Sequence, residues 1–308
     1  MAFVGALRTC GAPVPLTWVL GAAFQHVYSA STDMKLSVLL GLTAMLSAIP
    51  FHACGQQAVS DGNRAFLAGD CATAVRLLDP AVKHESPEAQ KIVGDMYALG
   101  RCKPRDAQKS YELYLKAAEA GLPLAQYNIA VALDRGEGTQ PDLAQAVKWY
   151  QRAANAGNAE AQSNLAVLYL TGRGVERNEL RGFQLTEAAA AQGYAPAQDN
   201  LARIYREGIG RTQHLETAFE WQAKSAQKGH PPALLNLGAT YEYGVGVKQS
   251  AALAYVMYRL AEKMGVAKAK EGLARLSIKL SEPQIAQAER LISRWRVGMP
   301  LPNTMAPQ

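Results

Sequence analysis

Few side chains of this sequence are spaced for catalysis or for metal binding. Beyond the N-terminal leader, the histidines His84, His214 and His230 stand far from one another and from any cysteine at ligand spacing. No GxSxG, HExxH or phosphate-binding loop occurs, and Ser277 and Lys279 of the segment SIKL are one residue too close for an S-x-x-K motif. The sequence therefore predicts that the protein is not an enzyme and needs no cofactor and no metal.

The elements that would position any binding residues repeat at a spacing of 36 residues. Internal repeats of this length are typical of solenoids, in which each unit packs on the next. Aromatic residues are only 7% of the chain, which favours closely packed helices over a sheet. We predict an all-α fold, a right-handed α-solenoid of helix-turn-helix units, with five repeats over 88–266. The alanines in register are Ala89, Ala125, Ala161, Ala197, Ala233 and Ala269.

Each unit predicts two helices joined by a glycine-containing loop. In the second unit, apolar residues three and four apart, ending with Ile129 and Leu133, give the first helix one apolar face. Gly136 is expected to end that helix in the left-handed conformation, and Gly138 to let the loop turn sharply. Asp142 is expected at the N-terminal cap of the second helix.

The motif A-x-x-x-L-G/A-x-x-Y-x-x-G-x-G-V, with K/R-A-A-x-x-G at the end of the unit, resembles the Sel1-like branch of the tetratricopeptide superfamily. It is clearest in Leu165 to Val175 and Leu237 to Val247, and the resemblance covers about 60–295. The sequence departs from the motif at Arg211, where valine is usual, and at Cys102, which replaces the second loop glycine of the first unit. The resemblance implies a solenoid that binds other proteins.

Four asparagines recur at the repeat spacing, each immediately before the core isoleucine or leucine of a first helix. The resemblance implies that first helices line a concave surface, so these amides would bind the backbone of an extended partner, because an amide both donates and accepts hydrogen bonds. The alternative is that each asparagine bonds within the fold. The asparagines are Asn128, Asn164, Asn200 and Asn236.

Charged residues that differ between the repeats are candidates for partner specificity. They follow the asparagines by one or two turns on the same helices, and the alternative for each is an ordinary solvated surface charge. These candidates are Asp134, Arg203, Arg206 and Glu242.

Cysteines add a candidate disulfide. Cys71 and Cys102 map to loops that precede the second helices of adjacent units, so we expect them to approach closely enough to bond in an exported chain. The alternative is two free thiols. Cys54 would be a lipidation site in a lipoprotein, but of the residues just before it only Ala53 suits such a site.

The N-terminal region predicts export. From Met34 the sequence has one lysine, an apolar stretch from Leu36 to Ile49 and then Pro50, so 34–55 is interpreted as a signal peptide that is too short to span a bilayer comfortably. Residues 1–33 are interpreted as a misassigned start or a disordered leader. We therefore expect a periplasmic or secreted bacterial protein, with anchoring to the membrane by the N-terminal segment as the alternative.

The two ends of the array predict caps. An N-terminal capping repeat is expected over 60–87 and capping helices over 267–296, where Ser281 and Gln284 form a capping-box pattern. The proline-rich tail 297–308 is expected to be loose.

Function follows from these observations as protein binding. The 32 basic and 26 acidic residues are interspersed, which argues against a nucleic-acid partner. We predict an exported scaffold that holds a protein or peptide partner of unknown identity. The alternatives are a β-lactamase-like, penicillin-binding-like or cell-wall ligand-binding protein, and a regulator of an envelope enzyme or secretion system.

Overall fold

The computed structural model describes residues 55–302, and over that range every regular element is an α-helix. The helices form two compact units that divide between Asp106 and Ala107. The all-α solenoid prediction is confirmed. The expected leader, the signal peptide and Cys54 lie outside the described residues, as does the end of the tail, 303–308.

The first unit contains three described helices. They are α1 (55–68), α2 (Cys71–Lys83) and α3 (Pro87–Leu99). The chain is already helical at residue 55, ahead of the cap expected from residue 60. Helices α2 and α3 pack on each other, and the buried side chains of the unit include Phe66, Leu78 and Met96.

The second unit contains eleven described helices, in which second and first helices of the repeats alternate. They are α4 (Ala107–Glu119), α5 (Pro123–Arg135), α6 (Leu143–Asn155), α7 (Ala159–Thr171), α8 (Glu179–Ala191), α9 (Ala195–Glu207), α10 (Leu215–Gln227), α11 (Pro231–Tyr243), α12 (Ala251–Lys263), α13 (Ala269–Ser277) and α14 (Glu282–Arg294). Each helix from α4 to α12 packs against the next along the chain, and α14 packs against α12.

Glycines end the first helices as predicted. Gly136 follows α5 with φ 73°, a left-handed conformation that strains a residue with a Cβ, and its N–H donates to the carbonyl of Ala132. The same conformation recurs at Gly100, Gly172, Gly208 and Gly244.

The second glycine of each loop allows a close approach to an earlier helix. A Cβ on Gly138 would overlap the carbonyl of Ala107, the first residue of α4, and a Cβ on Gly246 would lie 2.5 Å from the carbonyl oxygen of Leu215, the first residue of α10. The loop after each first helix therefore rests on the start of the preceding second helix, and a side chain at this position would separate them.

Cys102 occupies the position of the second loop glycine in the first repeat. It has the left-handed φ of 66°, and its sulfur is bonded to that of Cys71, the first residue of α2, with 4.8 Å between the Cα atoms. The predicted disulfide is confirmed. It joins the same two places, a loop and the start of a second helix, that glycine brings together in later repeats.

Capping residues begin the second helices at the repeat spacing. Asp142 accepts a hydrogen bond from the backbone N–H of Gln145, as predicted for an N-cap. The residues at equivalent positions before four other second helices also accept a hydrogen bond from the backbone N–H of the third residue of the helix. These caps are Asp70, Asn178, His214 and Ser250.

The C-terminal helices close the second unit over a buried tyrosine. The ring of Tyr258 fills the space beside Gly238 and Gly272, where an added Cβ would overlap it. The predicted capping box of Ser281 and Gln284 is present at the start of α14. Beyond α14 the start of the tail is held in place, because the N–H of Gly298 donates to the carbonyl of Gln227 at 2.8 Å and the Gln227 amide donates back to the Gly298 carbonyl.

Candidate functional site

The four asparagines lie on one side of the first helices α5, α7, α9 and α11, and we call this side the asparagine face. Each asparagine is half-buried, while the aliphatic residue that follows it is completely buried in the core. The helical rotation between neighbouring residues therefore separates a partly exposed amide from a core side chain in every repeat. The buried neighbours are Ile129, Leu165, Leu201 and Leu237.

Asn164 is bonded within the fold. Its Nδ2 donates to the hydroxyl of Tyr150 on α6, 3.3 Å away. Burial raises the pKa of Tyr150 to about 12, which the hydrogen bond from Asn164 partly opposes. Asn164 therefore follows the alternative interpretation and joins consecutive repeats.

Asn236 also bonds across a repeat boundary, but to a carboxylate. Its Nδ2 lies 3.4 and 3.3 Å from the two carboxylate oxygens of Asp199 on α9. Burial raises the pKa of Asp199, and Asn236, followed by His230, counteracts that effect. An amide cannot neutralise a carboxylate, so this position of the asparagine face keeps acidic character when Asp199 is ionised.

Asn128 and Asn200 differ from the other two. Within residues 55–302, neither side chain makes a hydrogen bond to the protein, although both are half-buried. A half-buried amide without a protein partner bonds to water, and a ligand backbone can replace that water. The four asparagines predicted to bind a partner are thus two different pairs, and only one pair, Asn128 and Asn200, has unused hydrogen-bonding groups.

Three of the predicted specificity residues lie in partly exposed ion pairs. Asp134 pairs with Arg173 at 3.3 Å, while Arg203 and Arg206 both approach Glu207, at 3.4 and 3.5 Å. Ion pairs of this kind contribute little to stability, because water already solvates both charges. A charged partner could therefore compete for these side chains at small cost.

Glu242 is placed differently from the role predicted for it. Its side chain is 5% exposed, and its carboxylate accepts from the hydroxyl of Tyr258 at 2.7 Å and from Arg275 at 2.9 and 3.0 Å. The hydrogen bonds from Arg275 hold the pKa of Glu242 below its usual value. Glu242 thus ties α11 to α12 and α13 and leaves little surface for a partner.

A second set of polar residues at the repeat spacing, three glutamines, was not predicted from the sequence. Gln126, Gln162 and Gln198 are each at most 9% exposed, and each Nε2 donates to a carbonyl eight residues earlier, at the end of the preceding second helix. The last carbonyls of a helix have no partner within it, so these bonds satisfy groups that would otherwise be unpaired. The signal was visible as a glutamine after the aligned alanine.

The described range offers neither a cluster of metal ligands nor a membrane-spanning helix. Between residues 55 and 302 no three His, Cys, Asp or Glu side chains come together as metal ligands would. The hydroxyl of Ser277 donates to the backbone carbonyl of Ala274 at 3.0 Å. No helix in the same range is both long and apolar enough to cross a membrane.

Comparison with protein families identifies the repeat. The sequence profile described as the Sel1 repeat matches five consecutive segments that cover more than half of the chain: 87–122, 123–158, 159–194, 195–230 and 231–266. The chain belongs to the Sel1 repeat family. Sel1 repeats generally mediate protein–protein interaction, and their fold is typical of scaffolds without enzymatic activity.

Solved structures with the same fold include two bacterial proteins. A Sel1 repeat protein from Oxalobacter formigenes is 27% identical, with a TM-score of 0.67 over 77% of this chain and 99% of that one. A protective antigen of uropathogenic Escherichia coli is 23% identical, with a TM-score of 0.51 over 80% of this chain and 62% of that one, a likeness of fold alone.

A curated relative shares only part of its length. Chitin synthase regulatory factor 3 of Schizosaccharomyces pombe is 40% identical over 62 residues, which are 20% of this chain and 7% of that protein. The present chain therefore spans a small fraction of this relative.

Proposed function

We propose that this Sel1 repeat protein is an exported scaffold that binds an extended segment of a partner protein along the asparagine face. The observation that carries the proposal is the pair Asn128 and Asn200, whose half-buried amides have no hydrogen bond within the described chain. They occupy equivalent positions two repeats apart, on helices α5 and α9.

The chemistry of an amide suits a backbone ligand. A peptide bond presents one donor and one acceptor, and the asparagine side chain offers two N–H donors and a carbonyl acceptor, so it can bond to a peptide backbone of any sequence. Selectivity would come from the neighbouring charges, Asp134, Arg203 and Arg206, whose present ion pairs are weak enough to exchange. Rigid packing of the repeats keeps the spacing of these groups constant before the partner arrives.

Export is supported by the disulfide and by the signal pattern over 34–55. A Cys71–Cys102 bond persists in oxidising compartments and is rarely maintained in a reducing cytosol. Periplasmic fractionation of the native host, combined with thiol alkylation before and after reduction, tests this part. A cytosolic protein whose two thiols are alkylated without reduction would contradict export.

Partner capture tests the binding face. The full chain, the double variant Asn128→Ala/Asn200→Ala and the control Asn155→Ala are used to capture proteins from the native envelope. Asn155 is an exposed asparagine at the end of the second helix α6, so its replacement controls for loss of an amide away from the face. We expect a specific partner to be lost only with the double variant, with helicity unchanged by circular dichroism. Equal capture by all three proteins would exclude the asparagine face.

Regulation of an envelope enzyme is a form of the same proposal. Chitin synthase regulatory factor 3 is named as a regulator of an enzyme, although the similarity covers 7% of it. If the captured partner is an enzyme, its activity with and without this protein distinguishes regulation from simple tethering: a change in turnover indicates regulation, and unchanged turnover indicates tethering.

A further inference from the structure

A carboxylate without a partner lies on the asparagine face. Glu160 is in the first turn of α7, one turn before Asn164, and is half-buried. Among residues 55–302 it makes no salt bridge and no side-chain hydrogen bond. The partial positive charge of a helix N-terminus favours an acid there but does not replace a counter-ion.

Two tyrosines flank this carboxylate. Tyr127 lies on α5, with its ring 6.1 Å from that of Tyr150, the residue to which Asn164 donates, and Tyr194 is the N-cap residue of α9. Burial raises the pKa of both Tyr127 and Tyr194, and in both cases the charge of Glu160 raises it further. The carboxylate therefore lies within electrostatic reach of both phenols, which are contributed by different repeats.

Packing supports the placement of Tyr194 independently. Tyr194 and Ala159, the residue before Glu160, both pack against the same buried cluster, which includes Ala190 and Ala197. Tyr194 therefore lies beside the first turn of α7, the helix that carries Glu160.

The charges of the face favour a cation. Its basic residues Arg135, Arg203 and Arg206 each approach a glutamate, Glu137 or Glu207, and its acids Asp134 and Asp199 are bonded to Arg173 and Asn236. Glu160 has no counter-ion, so the unsatisfied charge at this end of the face is negative in a chain with a formal net charge of +6. The positive net charge of the protein attracts acidic partners, so a preference for a basic side chain must come from the site itself.

We propose that Tyr127, Glu160 and Tyr194 form a subsite for a lysine or arginine side chain of the bound partner segment. The carboxylate pairs with the cation, the phenol oxygens accept its remaining N–H groups, and the aromatic rings cover its aliphatic stem. Asn164, one turn away, is bonded to Tyr150 and holds this wall of the subsite in place. This inference rests on the proposed binding of an extended segment and states which side chain that segment must carry.

Peptide selection tests the subsite. Random peptides displayed on phage are selected against the full chain, and the best synthetic peptide is compared with its norleucine analogue, in which one lysine or arginine is replaced. We expect basic residues to be enriched. Glu160→Gln should weaken the selected peptide about tenfold, the loss of one charge-assisted interaction, and leave the norleucine peptide unchanged.

The control for this experiment is Glu216→Gln. Glu216 lies on α10, and its side chain is 74% exposed, so the variant removes the same charge outside the face. Tyr194→Phe, which keeps the ring and removes only the hydroxyl, should weaken the basic peptide by less than Glu160→Gln. Equal losses for the basic and norleucine peptides, or selection without basic enrichment, would overturn the subsite.

The two proposals fail in different ways. Peptides that bind, lose affinity with Asn128→Ala/Asn200→Ala and lack basic residues would leave the binding face standing and remove the subsite. If selection yields no binding peptide at all, both proposals are overturned.

Discussion

The loop of the first repeat and the loops of the later repeats make the same contact by different chemistry. In the second unit, glycines such as Gly138 and Gly246 let the loop rest on the first residue of a second helix. In the first unit, Cys102 stands at that position and is covalently bonded to the corresponding residue, Cys71. In the later repeats this contact between loop and helix requires a glycine, which has no side chain. In the first repeat the side chain of Cys102 itself makes the contact.

The difference shows two ways to hold a loop on the start of a helix. A repeat is stabilised by packing on its neighbours, whereas a disulfide adds stability that does not depend on packing, because it restricts the unfolded chain. Two large apolar residues of the first unit, Leu67 and Leu99, are each 67% exposed. The covalent bond therefore lies in a unit that leaves some large apolar side chains in contact with solvent.

Removal of the disulfide is expected to have the largest effect. In Cys71→Ser/Cys102→Ser the free energy of unfolding of the first unit should fall by about 3 to 4 kcal/mol, because the bond closes a loop with a sequence separation of 31. Hydrogen exchange of the α2 amides measures the change. A reductant should reproduce it in the wild-type protein and have no effect on the double variant; protection of α2 that is unchanged by the variant would show that the bond contributes no stability.

A side chain at a loop glycine should come next. Gly138→Ala combines a strained left-handed φ of 74° with overlap on Ala107, and we expect a loss of about 3 kcal/mol in urea unfolding. Gly157→Ala is the matched control, because its φ of 87° is also left-handed but nothing lies within 4 Å of the added Cβ. It should cost about 1 kcal/mol. Equal losses would show that the close approach to α4 is unimportant.

Exchange of the cysteine for glycine sharpens the comparison. With Cys71→Ser in both proteins, Cys102→Gly should be about 1 kcal/mol more stable than Cys102→Ala, since φ at this position is 66° and only glycine adopts it without strain. Thermal or urea unfolding compares the two directly. An alanine protein as stable as the glycine protein would mean that the loop relaxes once the disulfide is absent.

The smallest effect concerns a feature that the two regions share. Asp70 and Asp142 cap α2 and α6, and hydrogen bonds from Thr73 and Gln145 respectively lower their pKa values below 3.8. A carboxyl whose folded pKa is lowered stabilises the fold above its unfolded pKa and loses that contribution as pH falls through the folded pKa.

Replacement by asparagine keeps a capping oxygen and removes only the charge. Asp70→Asn and Asp142→Asn should therefore lower the urea midpoint slightly at neutral pH, and the difference should disappear at an acidic pH below the folded pKa of the two carboxyls. A midpoint difference of the same size at both pH values would assign the effect to geometry instead of charge.

Most of the fold could be predicted from the sequence, because the same helix-ending and helix-starting residues recur in every repeat. Gly136 was predicted to end a helix and Asp142 to cap the next one, since a helix end and a helix start require particular backbone and side-chain groups. The cysteine pair followed from the position of Cys102 in the loop. Glu242 was harder, because an isolated glutamate gives no sign that Tyr258 and Arg275 from later helices will surround it.

The positions of the asparagines on the candidate face could be predicted, but not which of them are hydrogen-bonded within the protein. The spacing located all four asparagines, yet Asn164 and Asn128 are indistinguishable by position within the repeat. Asn164 donates to Tyr150, whereas the equivalent neighbour of Asn200 is Thr186, whose hydroxyl donates to the carbonyl of Gly182 instead. The repeat spacing alone does not give such side-chain contacts. The repeat spacing also does not say whether a recurring glutamine such as Gln162 faces the solvent or, as here, the core.

The anchoring of Gly298 to Gln227 has a practical consequence for labelling and fusion. At Gly298 the chain passes beside the turn between α10 and α11, and three residues later Leu301 still packs against the core. A fluorophore or fusion partner attached a few residues later would stay within a short radius of that turn, because each residue spans at most about 3.6 Å. Distances measured from such a label would report on the fourth and fifth repeats.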